Sequence, residues 1–351
     1  MPVLSSLSDL ALCALLGAAG LVILVAGTRL ARVAQSLAIS TGLGEAVIGG
    51  ALLGASTSLS GTVTSISAAA AGETDLAVSN AIGGIAVQTF FLAIADLCHR
   101  GANLEHAAAS PENMANTALL TLLLACVLLL PYTPAAWLVF GVHPGSVLLP
   151  AIWLAGLYAV AGIRARPMWV PLRTRDTRLE PGPDAPGAQR GRLRLAGAFA
   201  ILAVIMMLAG WIVAAAGLET AARFYARQSV VGALLTAVLT SLPELVTTLA
   251  AVRHGALQLA VGGIIGGNTF DVLFLSFSDA AYRDGSVYHV MPPDVSFWVV
   301  LTLAMTAVLS FGLVKRERHG PANIGVESLA VSVLYVGGLL VQVGLGGTAG
   351  S

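Results

Sequence analysis

Ten stretches of about 20 mostly apolar residues divide this chain, near residues 8–30, 43–70, 74–97, 114–131, 147–163, 195–217, 228–252, 256–279, 294–314 and 325–347. A helix needs about 20 residues to cross roughly 30 Å of hydrocarbon, where each backbone amide must find its partner within the protein. The pattern therefore predicts an all-α integral membrane protein of about ten transmembrane helices. Charge agrees: 10% of the 351 residues are charged and 57% are apolar, too little polarity to cover a water-soluble surface. The first run has no Lys or Arg ahead of it and reads as a first span, not as a cleaved signal. The second, third, seventh and eighth runs are rich in Gly, Ser and Thr, which suits interior helices.

Residues 164–194 break the pattern. They hold eight Arg against Asp176, Glu180 and Asp184, with prolines at 167, 171, 181, 183 and 186. This reads as a flexible hydrophilic linker between a first half, 1–163, and a second half, 195–351. A topogenic role explains its arginines more simply than anionic-lipid binding does. With the linker cytoplasmic, 15 of the 18 basic residues fall on that side, leaving Arg223, Arg227 and Arg283 opposite. The expected topology is a multi-pass protein of the cell (inner) membrane with both termini outside.

The halves are related. Residues 57–96 align on 240–279 without a gap, and 16 of the 40 pairs are identical, among them Thr57/Thr240, Ser58/Ser241, Gly72/Gly255 and Asp96/Asp279. The copies lie within about 43–97 and 228–280, five spans apart, so the second enters the membrane from the opposite side. That is an inverted-topology repeat, an architecture of secondary transporters with sites near the bilayer midplane.

Inside the second copy, TSLPELVTTLA places Glu244 deep in an apolar span, where a charged side chain costs at least about 2.5–3.5 kcal/mol. Asp271 lies mid-span in the next helix, with Asn268 on the same face. With the hydroxyls of Thr240 and Ser241 these form an oxygen-only donor set, which suits hard cations such as Ca2+ and Na+ better than zinc or copper. Pro243 removes an amide and favours a break beside Glu244.

TSLPELVTTLA and QLAVGGIIGGNTFDVLF (Gln258 to Phe274) together resemble the second α-repeat of the cation/calcium antiporter superfamily, the sodium/calcium exchanger type. Members show a Thr-Ser-x-Pro-Glu element and a Gly-Ser-Asn-x-(Phe)-Asn/Asp element in each half. Here Gly267 stands where Ser is usual, and an Asp at the last position is similar to the potassium-dependent branch. The resemblance implies two inverted five-helix repeats and an ion site on Glu244, Asn268 and Asp271, completed by Thr240 and Ser241. In the first half it carries over Thr57 and Ser58. The 183-residue offset puts Gly61 opposite Glu244, Ser60 opposite Pro243, Ile85 opposite Asn268 and Gln88 opposite Asp271, so Gln88 and Ser60 are weaker candidate ligands.

The expected function is alternating-access cation antiport, with Ca2+ against Na+ or H+ leading and the first and sixth spans moving. Monovalent cation/proton exchange on the same fold, or a transport-inactive binding protein, are the alternatives. Partners are inorganic cations and the lipid bilayer. No cofactor is expected, no phosphate-binding loop points to a nucleotide, and no basic patch with aromatics points to nucleic acid. An enzyme is not expected: His99, His254 and His319 fall at span edges and His106, His143 and His289 in loops, all reading as interfacial. Asp96, Asp279, Glu45, Glu73, Asp75 and Glu219 read as solvated helix ends. Cys13, Cys98 and Cys126 read as small buried hydrophobes.

Overall fold

The first long helix, α1 (Asp9–Thr41), begins at Ser8, whose hydroxyl accepts from the Ala11 amide at 3.3 Å. It ends at Gly42, which is left-handed (φ 74°), its amide bonding Ala38 O at 3.1 Å. The computed structural model describes residues 2–99, 101–134, 137–139, 141–178, 191–223, 236–320 and 324–348. After α1 come α2 (Glu45–Thr57) and α3 (Leu59–Ala70), which meet at Ser58 with a 46° bend. The first half continues through α4 (Thr74–Cys98), α5 (Pro111–Leu129) and α6 (Gly145–Ala165). The second contains α7 (Arg192–Arg223), α8 (Leu242–Arg253), α9 (Leu257–Asp271), α10 (Leu273–Ala281), α11 (Pro293–Lys315) and α12 (Val326–Thr348).

Among the described residues, seven helices are long and apolar enough to span a bilayer, α9 and α10 together making one, and the bent α2–α3 pair is an eighth. Of the ten expected spans, the remaining two are a shorter apolar helix at Val326–Gln342 and 228–252, whose first eight positions lie outside the described residues. Residues 179–190 of the linker also lie outside. Its described part docks on neighbouring helix ends: Arg178 N donates to Ala107 O at 3.1 Å and Arg316 to Leu172 O at 2.6 Å.

The Gly- and Ser-rich helices are interior, as their composition suggests. The apolar window of α9–α10 is 94% buried and that of α4 78%, against 17% for α6. At the centre, residues Gly49–Gly54 of α2 wind as a π-helix and cross α9 backbone against backbone. A Cβ on Gly54 would lie 2.5 Å from Gly267 Cα, and one on Gly266 would overlap the Gly50 Cα. Gly72 and its repeat mate Gly255 both turn the chain at positive φ, 83° and 74°, which accounts for their identity.

Three expectations are corrected here. Asp96 and Asp279 are buried, 1% and 0% exposed, instead of solvated. Asp96 accepts from Leu104 N (2.6 Å) and Gly325 N (2.9 Å), while Asp279 accepts from Ser286 Oγ (2.6 Å), Val287 N (3.1 Å), His143 N (2.8 Å) and Ser146 Oγ (2.7 Å). Each returning loop brings amides that need an acceptor, and the repeat supplies one at both ends of the molecule. Glu45 is likewise buried and accepts from Gln35 Nε2 at 2.8 Å. Cys13 and Cys98 are exposed and Cys126 half-buried, because a bilayer-facing surface takes the same apolar residues as a core. His106 and His143 are buried instead of interfacial; His143 Nδ1 accepts from Gly145 N at 2.9 Å and His106 Nε2 lies 2.7 Å from Thr174 Oγ1.

Beside Asp96, in the turn between α4 and α5, sits Glu105, which is 4% exposed. One oxygen accepts from Ser328 Oγ at 3.1 Å; the other has no hydrogen-bond partner among the described residues. Burial, with the Asp96 carboxylate next and Glu327 behind it, pushes the Glu105 carboxyl up to about 7. The folded protein therefore holds a proton that the unfolded chain releases near 4.5, so this contribution is full below that pH and is lost as pH rises through about 7. The span corresponds to about 3 kcal/mol. Thermal unfolding of Glu105→Gln should show a smaller loss of stability between pH 5 and pH 8 than the wild type; an unchanged loss would show that another group carries it.

Candidate functional site

Thr-Ser-Leu occurs once in each repeat, and each copy stands at a helix break: Ser58 between α2 and α3, Ser241 at the start of α8. Because Pro243 lacks an amide proton, α8 restarts there and holds Glu244 in its first turn. The breaks face each other across α4 and α9. Gln88 Nε2 donates to Asp271 Oδ2 at 2.6 Å, and Asn268 Nδ2 reaches Ile85 O at 3.4 Å. Both bonds join residues 183 apart, the offset that aligns the repeats, so a pseudo-twofold axis passes between these two helices.

Glu244 and Asp271 both come to this axis, 2% and 1% exposed. Ser58 Oγ donates to Glu244 Oε1 at 2.9 Å, and Gln88 Nε2 also lies 3.3 Å from Ser241 Oγ. Four buried oxygens have no partner among the described residues: Glu244 Oε2, Asp271 Oδ1, Gln88 Oε1 and Asn268 Oδ1. A neutral buried acceptor left bare costs about 1–3 kcal/mol, and a carboxylate costs more. Between Glu244, Asp271, Gln88, Ser58, Ser241 and Thr240 lies a cavity of about 10 Å3, close to the space one water occupies. Among the described residues, no Lys or Arg lines it. An oxygen-lined space with two carboxylates, and no positive side chain among the described residues, suits a hard cation or protons.

The remaining candidates are placed differently. Thr57 directs its hydroxyl to the carbonyls of Leu53 (3.0 Å) and Gly54 (2.9 Å) in its own helix, and the same hydroxyl lies beside the Glu244 carboxylate. Ser60 donates to Thr240 O at 3.2 Å from outside the cavity wall. Asn268 is buried on the same helix as Asp271 but turns its amide to Thr89 Oγ1 at 3.0 Å, off the wall.

Two wall residues escaped the sequence reading. Asn80 donates to Gly61 O (3.1 Å) and Ser65 Oγ (2.8 Å) and accepts from Thr240 Oγ1 (3.0 Å), which ties the two repeats together. Its repeat mate is Gly263, so alignment hid it; a lone Asn in mid-span was the available signal. Phe274 matches Phe91 and reads as filler, yet its ring closes one side of the cavity.

The fold and the sequence have known counterparts. In solved structures of the sodium-calcium exchanger NCX_Mj, soaked with Na+ and Sr2+, one chain superposes with a TM-score of 0.70 at 15% identity, covering 95% of this chain and 99% of that one. A second gives 0.67 at 17% identity, covering 97% and 99%. None of the curated proteins compared with the sequence matches it. The profile described as sodium/calcium exchanger protein matches residues 11–162 and 194–344, most of both halves, and by that match the chain belongs to the sodium/calcium exchanger family.

Proposed function

We propose that the protein is a secondary antiporter that exchanges Ca2+ for Na+ or H+ by alternating access to the cavity beside Glu244 and Asp271. The unpartnered oxygens of these two carboxylates carry the reading. A bare divalent ion in a poorly screening interior needs about two compensating charges, and the pair supplies two. Gln88 Oε1 and the hydroxyls of Ser58 and Ser241 add neutral oxygens.

The elements that move are α1 and α7, which pack alongside each other. Each rests on the site helices through a glycine, and the two glycines share the repeat offset: Gly27 faces Val246 and Thr247, Gly210 faces Ser60 and Pro243. Small contact residues leave a surface on which a helix can slide. The linker side faces the cytoplasm of the cell membrane in this reading, because the basic residues gather there.

Reconstituted protein tests it. Radioactive calcium should accumulate when an outward-directed sodium or proton gradient is imposed, and potassium alone should not replace both. A second reading, monovalent cation against protons, rests on the same two acids alternating between proton and cation. It predicts sodium or potassium flux under a pH gradient with no calcium flux.

A further inference from the structure

Repeat mates differ at the two mouths of the molecule. Helices α1 and α7 start 183 residues apart, at Asp9 and Arg192, so they follow the offset that aligns the site helices. On the side away from the linker, a cavity of about 390 Å3 lies between α3 and α7, with Thr64, Ser67, Ala71, Trp211, Ala215 and Glu219 on its walls. On the linker side the equivalent helices, α8 and α1, are closed on each other. Thr64 is half-buried and Ser67 exposed, but their mates Thr247 and Ala250 are buried, and Thr247 packs against Gly27. The mates of Ala71 and Ala215 are His254 and Arg32. Two small side chains beside an open cavity thus correspond to two long polar ones across a closed mouth. Arg32 Nε donates to His254 Nε2 at 3.0 Å.

We propose that the Arg32–His254 pair is a latch that holds the linker-side mouth between α1 and α8 shut, and that a proton on His254 releases it. The proposal rests on the proposed function, in that α1 and α7 move to open the ion site to one side and then the other. An arginine only donates hydrogen bonds, so His254 must be neutral, with its proton on Nδ1, for Nε2 to accept. Protonation turns that acceptor into a donor and sets two cations face to face. Neighbouring charges add to the effect: Arg32 faces the ring from α1, Arg253 precedes it on α8, and Arg178 of the linker lies against Gly255. Partial burial, and next the Arg32 cation, hold the imidazole below its ordinary range, so the closed mouth disfavours the proton. A proton therefore binds the open arrangement better and shifts the population towards it. Ala71 and Ala215 stand in place of the pair at the opposite mouth, so this response belongs to the linker side.

Thiol labelling of the full chain in proteoliposomes tests it. Cys13→Ala, Cys98→Ala and Cys126→Ala remove the native thiols, and Thr247→Cys places a probe in the closed mouth; Ala250→Cys replaces it if that variant does not fold. A membrane-impermeant maleimide is applied from the linker side. Each rate is divided by that of the same probe carrying His254→Gln, which cancels the direct effect of pH on the thiol. Glutamine keeps an acceptor for Arg32 and does not titrate. The ratio should rise several-fold from about pH 8 to about pH 6, the range in which histidine changes charge. A flat ratio would overturn the latch. Arg32→Ala should speed labelling several-fold at the higher pH, and an unchanged rate there would overturn it as well. Labelling needs no transported ion, so the two readings fail separately. Gradient-driven calcium flux with a flat ratio overturns the latch alone. Absence of flux overturns the transport reading, and the ratio still decides whether the latch exists.

Discussion

Glu244→Gln should abolish gradient-driven calcium uptake, lowering it at least about 100-fold while leaving the folded protein intact. The substitution keeps the size of the side chain and a carbonyl oxygen for Ser58, whose hydroxyl now bonds Oε1 at 2.9 Å. What it removes is one of two negative charges in a cavity with no Lys or Arg among the described residues of its walls. Truncating one partner of a buried charge pair costs about 2–5 kcal/mol of binding, and about 3 kcal/mol already corresponds to more than 100-fold. Asp271→Asn should act similarly, with one difference. Gln88 Nε2 donates to Asp271 Oδ2 at 2.6 Å, so the new amide must present its oxygen there or leave Gln88 unpaired. Undiminished uptake by Glu244→Gln in proteoliposomes would remove Glu244 from the ion path.

The second large effect is structural. Gly266→Val should destroy the folded state, because its Cβ would overlap the Gly50 backbone where α2 crosses α9. Ordinary overpacking costs about 1–3 kcal/mol, with side chains shifting to make room. Backbone on both sides leaves nothing to shift, so the cost should exceed that range. Gly197→Ala is the control: a Cβ there meets nothing within 4 Å, and alanine gains up to about 1 kcal/mol of helix propensity. Thermal unfolding in detergent should show a large fall for the first and none for the second. Equal behaviour would mean that the glycine crossing is not what holds the halves together.

How far the site could be read from the sequence depended on whether cost or geometry gave the signal. Glu244 and Asp271 stood out because a mid-span carboxylate is expensive whatever surrounds it. Gln88 followed from the repeat offset, and the structure places it on its own mate, Asp271. Ser60 and Asn268 matched the pattern equally well, yet Ser60 Oγ turns to the Thr240 carbonyl and Asn268 Nδ2 to the Thr89 hydroxyl, and neither residue lines the cavity. Side-chain direction is set by tertiary neighbours, and spacing alone does not carry it. The reverse holds for Asn80, whose mate is glycine, and for Phe274, whose mate is identical. One lacked a partner in the alignment and the other looked apolar and ordinary.

The architecture was more legible than the surface. Long apolar runs and an odd number of spans between repeats imply the inverted pair directly. Hydropathy could not distinguish lipid from core, so Cys13 and Cys98 were assigned inward and lie outside. Nor could it show loops folding back on Asp96 and Asp279, since those bonds form between segments distant in sequence, such as Asp96 with Gly325. The absent first-half carboxylate now has a physical counterpart. The Gly61 position is filled by a ring from the opposite repeat.

A single cation should bind between Glu244 and Asp271. Crystals grown with calcium and measured at a wavelength where calcium scatters anomalously test it most directly. One peak is predicted, with Glu244 Oε2, Asp271 Oδ1 and Gln88 Oε1 among its ligands at about 2.3–2.6 Å, and it should vanish in Glu244→Gln. A peak elsewhere, such as beside Asp96 and Glu105, or one that persists in the variant, would contradict the account.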